Sequence, residues 1–456
     1  MGTVHAKDMG PVERTRNEGQ DEDFGLDGIP AKVVNVHIDG LGRTKDDLVM
    51  HEVRDVFKAS SFKEMVKMAH DAKLRLERLG IFKNVGIFID TSKGANARKD
   101  GYDITFEVNE MRRVVGGVNT LVGNNDASLL FNLRAPNTFG RAEKFVLEYS
   151  HGTKHSSGFN VNFTKPFEAN PDAKFTAGVY QNQGDYPWSG YKETDRGVGL
   201  DISFQSLFGA HGLKWEGVWR ELHPLTRTAA FDVREQCGHS LKSSISHTYV
   251  RDRRDDPVIP TSGSMLKIVQ EYAGLGGDVQ FMKHNLEFQI SKSLIFDTVL
   301  QLSLAGGVMK SLNPNKDVGI NDRFYLGGPL TLRGFNMKGV GPHTDGCAMG
   351  GEAYGLAGLH LYTPLPFRPG RGGFGDLFRT HFFVNAGNLT NIDFEKDSRQ
   401  TLEHLYKTMR LSYGAGIVLR MGRIARMELN YCIPFKVQAG DSVNQGVQFG
   451  IGVTFM

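Results

Sequence analysis

Side chains that could carry out chemistry are scattered along this sequence. His239 and Ser240 are neighbours and could support nucleophilic hydrolysis, but no acidic residue lies at a spacing that would complete a triad. The chain contains no GxSxG elbow, no HExxH zinc motif and no Walker loop. We therefore expect a protein that is not an enzyme and has no catalytic residues.

The cysteines give no metal or redox pattern. Cys237, Cys347 and Cys432 lie far apart, without a CxxC pair. This spacing predicts free thiols, no metal site and no cofactor. The formal net charge of +3 gives no reason to expect a nucleic-acid partner.

Arg333 is unusual because of its neighbours. It lies in the stretch RFYLGGPLTLRGF, residues 323–335, where glycines and a proline impose tight turns. The stretch has too many large apolar side chains to remain in water. A loop that only packs on itself explains this composition. So does a loop folded into a larger interior, where Arg333 would need a partner for its charge.

The elements around this stretch alternate in polarity. From residue 113 to residue 456, segments of about ten residues place apolar and polar side chains in turn, and we count about sixteen of them. Leu213 and Trp215, for example, alternate with Lys214 and Glu216. A charged second face and aromatic residues near the strand ends are typical of a membrane β-barrel. A soluble sandwich or propeller is the alternative, but no blade repeat of about 40–50 residues is present.

The sequence therefore predicts a membrane β-barrel of about sixteen antiparallel strands at residues 113–456. The connection at residues 310–350 is far longer than an ordinary hairpin loop, apolar and rich in glycine. We expect it to fold inward, into the barrel lumen.

The N-terminal region has a different pattern. Residues 1–30 are polar and acidic, without a secretory signal peptide, and we expect a flexible tail. Residues 31–112 contain an alternating strand, two helices with capping boxes at Thr44–Asp47 and Ser61–Glu64, and two further strands. This order, β-α-α-β-β, predicts a small α+β domain. The domain could be a generic packing module, or its sheet edges could accept an extended peptide.

Several of these motifs resemble one protein family. The runs NVHIDGL at residues 35–41 and LGIFKNV at residues 79–85 resemble a POTRA domain. The run LRGF at residues 332–335 resembles the loop-six signature of the BamA-type outer-membrane assembly superfamily, and HFFVNAG at residues 381–387 resembles the strand motif that receives that loop. The resemblance implies two sets of site residues. They are the loop-six motif, Arg333, Gly334 and Phe335, and the lumenal receiving motif, Phe383, Asn385 and Gly387.

The sequence departs from the family pattern at one position. Asn385 stands where many members carry Asp, so a direct ion pair with Arg333 is in doubt. The partner of Arg333 would then be a neutral hydrogen bond from Asn385 or a carboxylate such as Glu352 or Glu428.

Within the superfamily, the runs LYTPLPFR at residues 361–368 and RIARMELNYC at residues 423–432 are similar to the core subunits of the animal mitochondrial sorting and assembly machinery (SAM). This resemblance implies the mitochondrial outer membrane, with the POTRA domain in the intermembrane space. It implies metaxin-type SAM subunits, a cristae-organising (MICOS-type) complex, β-barrel precursor proteins and the lipid bilayer as partners.

The two ends of the barrel lead to a mechanistic hypothesis. We expect the first and last strands to pair and close the barrel. The first strand, residues 116–123, contains three glycines and few bulky side chains, which weakens the seam. We expect the seam to open laterally so that the first strand pairs with the β-signal of a substrate. The residues assigned to this lateral gate are Gly117, Val118, Asn119 and Leu121.

The last strand fits a polar-x-Gly-x-x-hydrophobic-x-hydrophobic β-signal through Gln448, Gly450, Val453 and Phe455. Any alternating terminal strand explains part of this match. The expected function is the folding and insertion of β-barrel precursor proteins into the membrane, and two other functions stay open. One is a passive pore or polypeptide-translocating channel, and the other is a structural scaffold that could coexist with insertion.

Overall fold

The structure is a computed structural model that describes residues 29–92, 98, 100–122, 127–167, 170–365, 374–391, 403, 405–422, 425–453, 455 and 456. The predicted tail lies outside the described residues except for its last two. The chain forms two compact units. One combines the part up to Gly42 with Asp46–Glu110, and the other combines Arg43–Lys45 with Met111–Met456.

The first unit is a three-stranded sheet with its helices. The strand order is β1-β3-β2, with β1 parallel and β2 antiparallel to β3. The predicted β-α-α-β-β order is confirmed. The elements are β1 (Lys32–Asp39), α1 (Asp46–Val53), a 3-10 turn (Arg54–Lys58), α2 (Phe62–Arg78), β2 (Phe82–Thr91) and β3 (Gly101–Glu110).

Helix α2 shows how local sequence builds this unit. The Ser61 hydroxyl accepts a hydrogen bond from the backbone N–H of Glu64 (3.3 Å), and the Glu64 carboxylate accepts one from the N–H of Ser60 (2.9 Å). The first bond satisfies an amide that a helix start leaves unpaired, and the second fixes the chain just before the capping residue. The buried face of the helix repeats every three or four residues, as an amphipathic helix requires. It consists of Met65, Ala69, Ala72 and Leu76.

The second unit is a barrel sheet of sixteen strands, each antiparallel to its neighbours in sequence order. The predicted membrane β-barrel is confirmed. Its strands are β4 (Val115–Val122), β5 (Ala127–Pro136), β6 (Lys144–Gly152), β7 (Ser157–Phe167), β8 (Asn170–Tyr186), β9 (Tyr191–Gln205), β10 (Ala210–Pro224), β11 (Gly238–Asp252), β12 (Gly263–Gly277), β13 (Phe281–Ser293) and β14 (Val299–Ser311), then β17 (Ala353–Pro364), β18 (Phe378–Thr390), β19 (Arg410–Met421), β20 (Ala425–Lys436) and β21 (Gly446–Gly452).

Short elements lie in the connections between these strands. Helix α3 (Phe231–Glu235) follows β10, and 3-10 turns at Ile295–Asp297 and Phe374–Leu377 precede β14 and β18. No helix in the described part of the chain is long and apolar enough to cross a membrane.

Side chains alternate between the two barrel faces. On β10, Leu213 and Trp215 are exposed on the outside, whereas Lys214 and Glu216 form an ion pair (2.9 Å) on the inside. Large apolar side chains remain exposed all around the outer face, as lipid contact requires. The inner face is polar and charged, which explains the alternation seen in the sequence.

The connection between β14 and β17, residues 312–352, enters the lumen. We call it the long loop. It carries a small two-stranded piece, β15 (His343–Thr344) and β16 (Cys347–Ala348). Its buried apolar side chains belong to two clusters, and the larger one packs against the barrel wall. The members from the loop are Val318, Phe324, Leu326, Leu332, Phe335 and Val340, and those from the wall include Ala305, Met309, Leu356 and Leu389.

The expectation that the first and last strands pair is not met. They are the two edges of the sheet, and within the described residues no ladder joins β4 to β21. The expected last strand is also shortened, because β21 ends at Gly452 rather than continuing to Phe455. Phe455 is 1% exposed, and the lumenal contacts of Phe455 and Met456 described below draw the chain inward after Gly452.

Candidate functional site

The site forms around Arg333, which is fully buried and lies near the middle of the long loop. Its Nε and Nη2 atoms donate to the same carboxylate oxygen of Glu428, at 3.2 and 2.7 Å. Glu428 points inward from β20 and is 1% exposed. Of the candidate partners, Glu428 is therefore the carboxylate that neutralises Arg333. Glu352 lies half-buried at the far end of the long loop, where its backbone N–H donates to Asn391.

The remaining contacts of the Arg333 guanidinium involve the end of the chain. Nη1 donates to the backbone oxygen of Met456. The rings of Phe383 and Phe455 lie 5.1 and 5.6 Å from the guanidinium carbon, within cation–π range. Phe383 thus contacts the loop-six motif as the receiving strand was expected to do.

Asn385 does not neutralise Arg333 but binds the end of the chain. Its Nδ2 donates to the same Met456 oxygen at 3.1 Å. An amide can donate this hydrogen bond, whereas an ionised Asp carries only acceptors and would repel a carbonyl oxygen. The departure from the family pattern therefore fits the inward turn of the chain end. Leu330 completes the attachment, since its carbonyl accepts from the N–H of Met456 (3.0 Å).

A second guanidinium shares Glu428. Arg426 lies two residues earlier on β20, is 1% exposed, and places Nη2 3.1 Å from the other Glu428 oxygen. Its guanidinium carbon lies 4.5 Å from the Phe455 ring. Sequence reasoning missed Arg426. The available signal was its lumenal position in a strand where charged and polar residues alternate with apolar ones.

The loop-six motif is also bonded to the last strand. The Gln448 side chain accepts from the N–H of Gly334 (2.9 Å) and donates to the carbonyl of Phe335 (3.1 Å). The N–H of Asn444, just before β21, donates to the Gly334 carbonyl (2.9 Å). Gly334 has a φ of +87°, which side chains disfavour. The backbone of the motif is thereby fixed against β21.

Glycines in the walls allow the loop to approach closely. A Cβ on Gly450 would lie 3.1 Å from both Pro329 and Phe455. A Cβ on Gly387 would lie 3.1 Å from Leu326 and Leu332. The predicted residues Gly387 and Gly450 therefore lie where the loop contacts the strands directly.

The predicted gate residues lie apart from this site. Val118 is 63% exposed on the outer face of β4, whereas Gly117 faces inward, next to Asn132 of β5. Asn119 and Leu121 also belong to β4, and the side chain of Leu121 lies outside the described residues. Among the described residues, no hydrogen bond joins these gate positions to the loop-six motif.

The long loop has a second attachment across the lumen. Asp322 is buried and accepts from Arg220 of β10 (2.7 Å), with Lys242 of β11 at 3.4 Å. Lys283 of β13 donates to the Asp322 carbonyl at 2.7 Å. Sequence reasoning missed this cluster, because its members lie on the long loop and on three separate strands. The loop therefore spans the lumen from β10 to β21.

Comparisons with known proteins agree with this geometry. The Omp85 superfamily domain matches residues 137–455. The chain is 50% identical to the Sorting and assembly machinery component 50 homolog of Xenopus tropicalis and 48% identical to that of Homo sapiens, each covering 100% of both chains. A SAM50-like protein of Drosophila melanogaster is 35% identical over 97% of this chain and 99% of its own length.

A solved structure shares the fold. The crystal structure of BamA from Haemophilus ducreyi lacking POTRA domains 1–3 superposes with a TM-score of 0.74. It covers 92% of this chain and 84% of the BamA chain, at 21% sequence identity.

Proposed function

This chain belongs to the Sorting and assembly machinery component 50 family of the Omp85 superfamily, and on that premise we propose that it folds and inserts β-barrel precursor proteins into the mitochondrial outer membrane. Insertion proceeds through lateral opening between β4 and β21. The β-signal of the substrate pairs with β4, and later strands join by hairpin addition. The protein supplies a template and a route into the bilayer, and the energy comes from the folding of the substrate.

The observation that carries this proposal is the free edge of β4. Its ladder is formed with β5 alone among the described residues. An unpaired backbone N–H or C=O group in lipid costs several kcal/mol. An exposed edge in the bilayer therefore favours pairing with an extended segment, which is the physical basis of strand addition.

Among the described residues, the long loop forms hydrogen bonds with one edge of the barrel sheet and not with the other, which supports different roles for the two edges. The loop-six motif binds Gln448, Asn444 and Met456, all in or beside the last strand. The first strand receives no such hydrogen bonds in the part of the chain that the structure describes. One edge is thus held by the loop, while the other is available to a substrate.

The same loop argues against the passive pore or polypeptide-translocating channel. A pore function needs an open lumen, whereas the long loop crosses this one between the Asp322 cluster and Glu428. The structural scaffold remains compatible with insertion, because it makes no demand on the lumen.

The location and partners of the protein follow from the same proposal. The N-terminal unit, as a POTRA-like domain, faces the intermembrane space, where its sheet edges meet substrates or the cristae-organising complex. Metaxin-type subunits complete the machinery. Pull-down of these partners with the full chain tests this part of the proposal.

Site-specific photo-crosslinking tests the lateral gate. A photoreactive side chain is placed at Val118, and a β-barrel precursor is arrested during import. The matched control is Val179 of β8, which is also a lipid-exposed valine (48% exposed) but lies between paired strands. We expect precursor adducts from position 118 and none from position 179. Equal labelling from both positions, or labelling from neither in an intact barrel, contradicts the gate.

A further inference from the structure

One barrel turn displays a strongly apolar tip. The turn between β9 and β10, residues 206–209, lies at the barrel end where β4 begins, as the antiparallel order requires. Leu207 and Phe208 are 98% and 70% exposed there. Burying apolar surface is worth about 25 cal/mol per Å², so this tip favours an apolar environment. In a barrel, the adjoining lipid leaflet provides one.

A stack of rings lies on the outer face below this tip. Phe204 and His211 are stacked at 5.1 Å between ring centroids, and His211 and His247 at 5.5 Å. His211 and His247 are on the same face as the lipid-exposed Leu213, since His247 pairs with Leu213 across the β10–β11 ladder. The two imidazoles are therefore on the outside of the barrel, not in its lumen.

Hydrogen bonds hold the rings and the tip together. His211 Nε2 lies 3.1 Å from the Ser206 hydroxyl, and His211 Nδ1 lies 3.2 Å from His247 Nε2. The Tyr249 hydroxyl donates to the Phe208 carbonyl at 3.0 Å. The polar groups are thus fixed in position beneath the apolar tip.

A cation completes the arrangement. Arg251 follows Tyr249 on the same face of β11 and is half-exposed. Within the described residues, no carboxylate lies at ion-pair distance from it. An unpaired guanidinium beside an apolar surface is complementary to an anion carried by a lipid.

The depth of these groups in the bilayer is also suitable. From His211 to Trp219, the aromatic residue near the opposite end of β10, the strand rises roughly 26 Å at about 3.3 Å per residue. At the strand tilt of about 35–45° in membrane barrels, this corresponds to a height of about 19–22 Å, slightly less than the apolar band of about 25 Å. His211 therefore lies near the edge of the apolar band, next to the lipid headgroups.

We propose that these residues form a binding site for the headgroup of an anionic phospholipid in the adjoining leaflet. We call it the headgroup site, and its members are Ser206, Leu207, Phe208, His211, His247, Tyr249 and Arg251. The Arg251 guanidinium and the His247 imidazole bind the phosphate, while the apolar tip lies against the lipid surface beside them. The site is continuous with the lipid-exposed band of Leu213 and Trp215, which favours a lipid over a protein partner.

Native mass spectrometry of the full chain tests the site. The protein is reconstituted into nanodiscs of phosphatidylcholine with phosphatidylglycerol, and retained anionic lipid is counted on release. Removing one cation near an anionic surface costs about 1 kcal/mol, so Arg251→Gln should reduce retention about fivefold. Combining Arg251→Gln with Phe208→Ser should reduce it further.

The chain offers a matched control. The turn between β13 and β14 also displays an apolar tip, with Ile295 76% and Phe296 86% exposed, at the same barrel end. Phe296→Ser should leave retention of anionic lipid unchanged, because that tip lacks the stacked imidazoles. Equal losses at both turns, or no loss in the combined variant, would overturn the proposal.

A second measurement leaves the headgroup site intact. Trp188 and Trp219 are replaced by Phe, so that Trp215 near the site is the only tryptophan left. Brominated phosphatidylglycerol should then quench Trp215 more strongly than brominated phosphatidylcholine at the same mole fraction. Equal quenching by the two lipids contradicts the site. If a soluble protein bound at this turn and displaced both lipids equally, the turn would be a protein-binding surface and the headgroup site would be contradicted.

Discussion

Glu428 faces two guanidinium groups in the barrel interior, and all three side chains are at most 1% exposed. Burying a charge is costly unless it is paired, so neither arginine would be stable here without the carboxylate. The backbone oxygen of Met456 and the amide of Asn385 extend this network to the chain end. At the scale of single residues, Glu428 therefore joins the long loop to the barrel wall.

The first prediction concerns this carboxylate. Glu428→Gln leaves two buried guanidinium groups without a counter-charge, and we expect a loss of about 3–5 kcal/mol in barrel stability. Denaturant titration of the protein in lipid, followed by the shift in gel mobility between folded and unfolded barrel, measures it. Glu352→Gln is the control and should change stability little. A larger loss from Glu352→Gln than from Glu428→Gln would falsify the assignment.

The second prediction concerns the turn at the loop-six motif. Gly334 has a φ of +87°, so Gly334→Ala should destabilise the barrel by about 1–2 kcal/mol through backbone strain. Gly355→Ala on β17 is the matched control, because a Cβ there meets nothing within 4 Å. The same titration measures both variants. If Gly334→Ala and Gly355→Ala lose the same amount of stability, backbone strain at Gly334 does not explain the loss.

At the scale of elements, helix α2 combines a capping serine with a first-turn carboxylate. Hydrogen bonds from the backbone and the hydroxyl of Ser60 hold the pKa of Glu64 below its ordinary value. A carboxylate with a depressed folded-state pKa contributes stability above its unfolded pKa, and that contribution is lost as the pH falls through the folded value.

The third prediction follows from this linkage. The N-terminal unit has its own buried core, so residues 29–110 can be expressed alone. Glu64→Gln should be less stable than the original fragment at neutral pH, and the difference should shrink as the pH falls below the ordinary range of a glutamate. Thermal unfolding at several pH values measures it. A difference that is constant with pH would contradict the role of the ionised carboxylate.

The last strand is shorter than its sequence pattern predicts, because tertiary contacts bind the end of the chain. Its alternation predicts a strand through Phe455, yet β21 ends at Gly452. Leu330, Arg333 and Asn385 instead form buried hydrogen bonds with Met456, and these bonds hold the chain end in the lumen. The β-signal assigned to Gln448, Gly450, Val453 and Phe455 stays a prediction.

At the scale of the whole molecule, the barrel sheet has two edges, β4 and β21. In an antiparallel strand, alternate residues direct their N–H groups to opposite neighbours. Half of the β4 amides therefore bond to β5, while the others face the open side.

The fourth prediction is that about half of the amides in Val115–Val122 exchange rapidly with deuterium in lipid nanodiscs, because only alternate ones are bonded. Amides of β10, which has ladders on both sides, should be protected. Hydrogen-exchange mass spectrometry measures both peptides in one sample. Equal protection of β4 and β10 would mean that the seam is paired in the membrane.

Much of this architecture could be derived from the sequence. Two-residue alternation in strands such as β10 predicted both faces of the barrel and its sixteen strands, because side-chain direction in a strand is a local property. Capping residues and helical periodicity predicted the order of elements in the first unit for the same reason. The apolar, glycine-rich stretch around Arg333 predicted an inward loop, since those side chains could not remain in water.

Other features required the tertiary structure. The partner of Arg333 lies 95 residues away, and sequence reasoning left Asn385, Glu352 and Glu428 as alternatives. Which of them meets the guanidinium depends on the strand register and on the path of the long loop across the lumen. The inward turn of Met456 depends on the same path, because Leu330 and Arg333 of the long loop bind its backbone. The sequence alone determined which side chains face inward, but only the tertiary structure decided which of them meet, because such contacts join residues far apart in the chain.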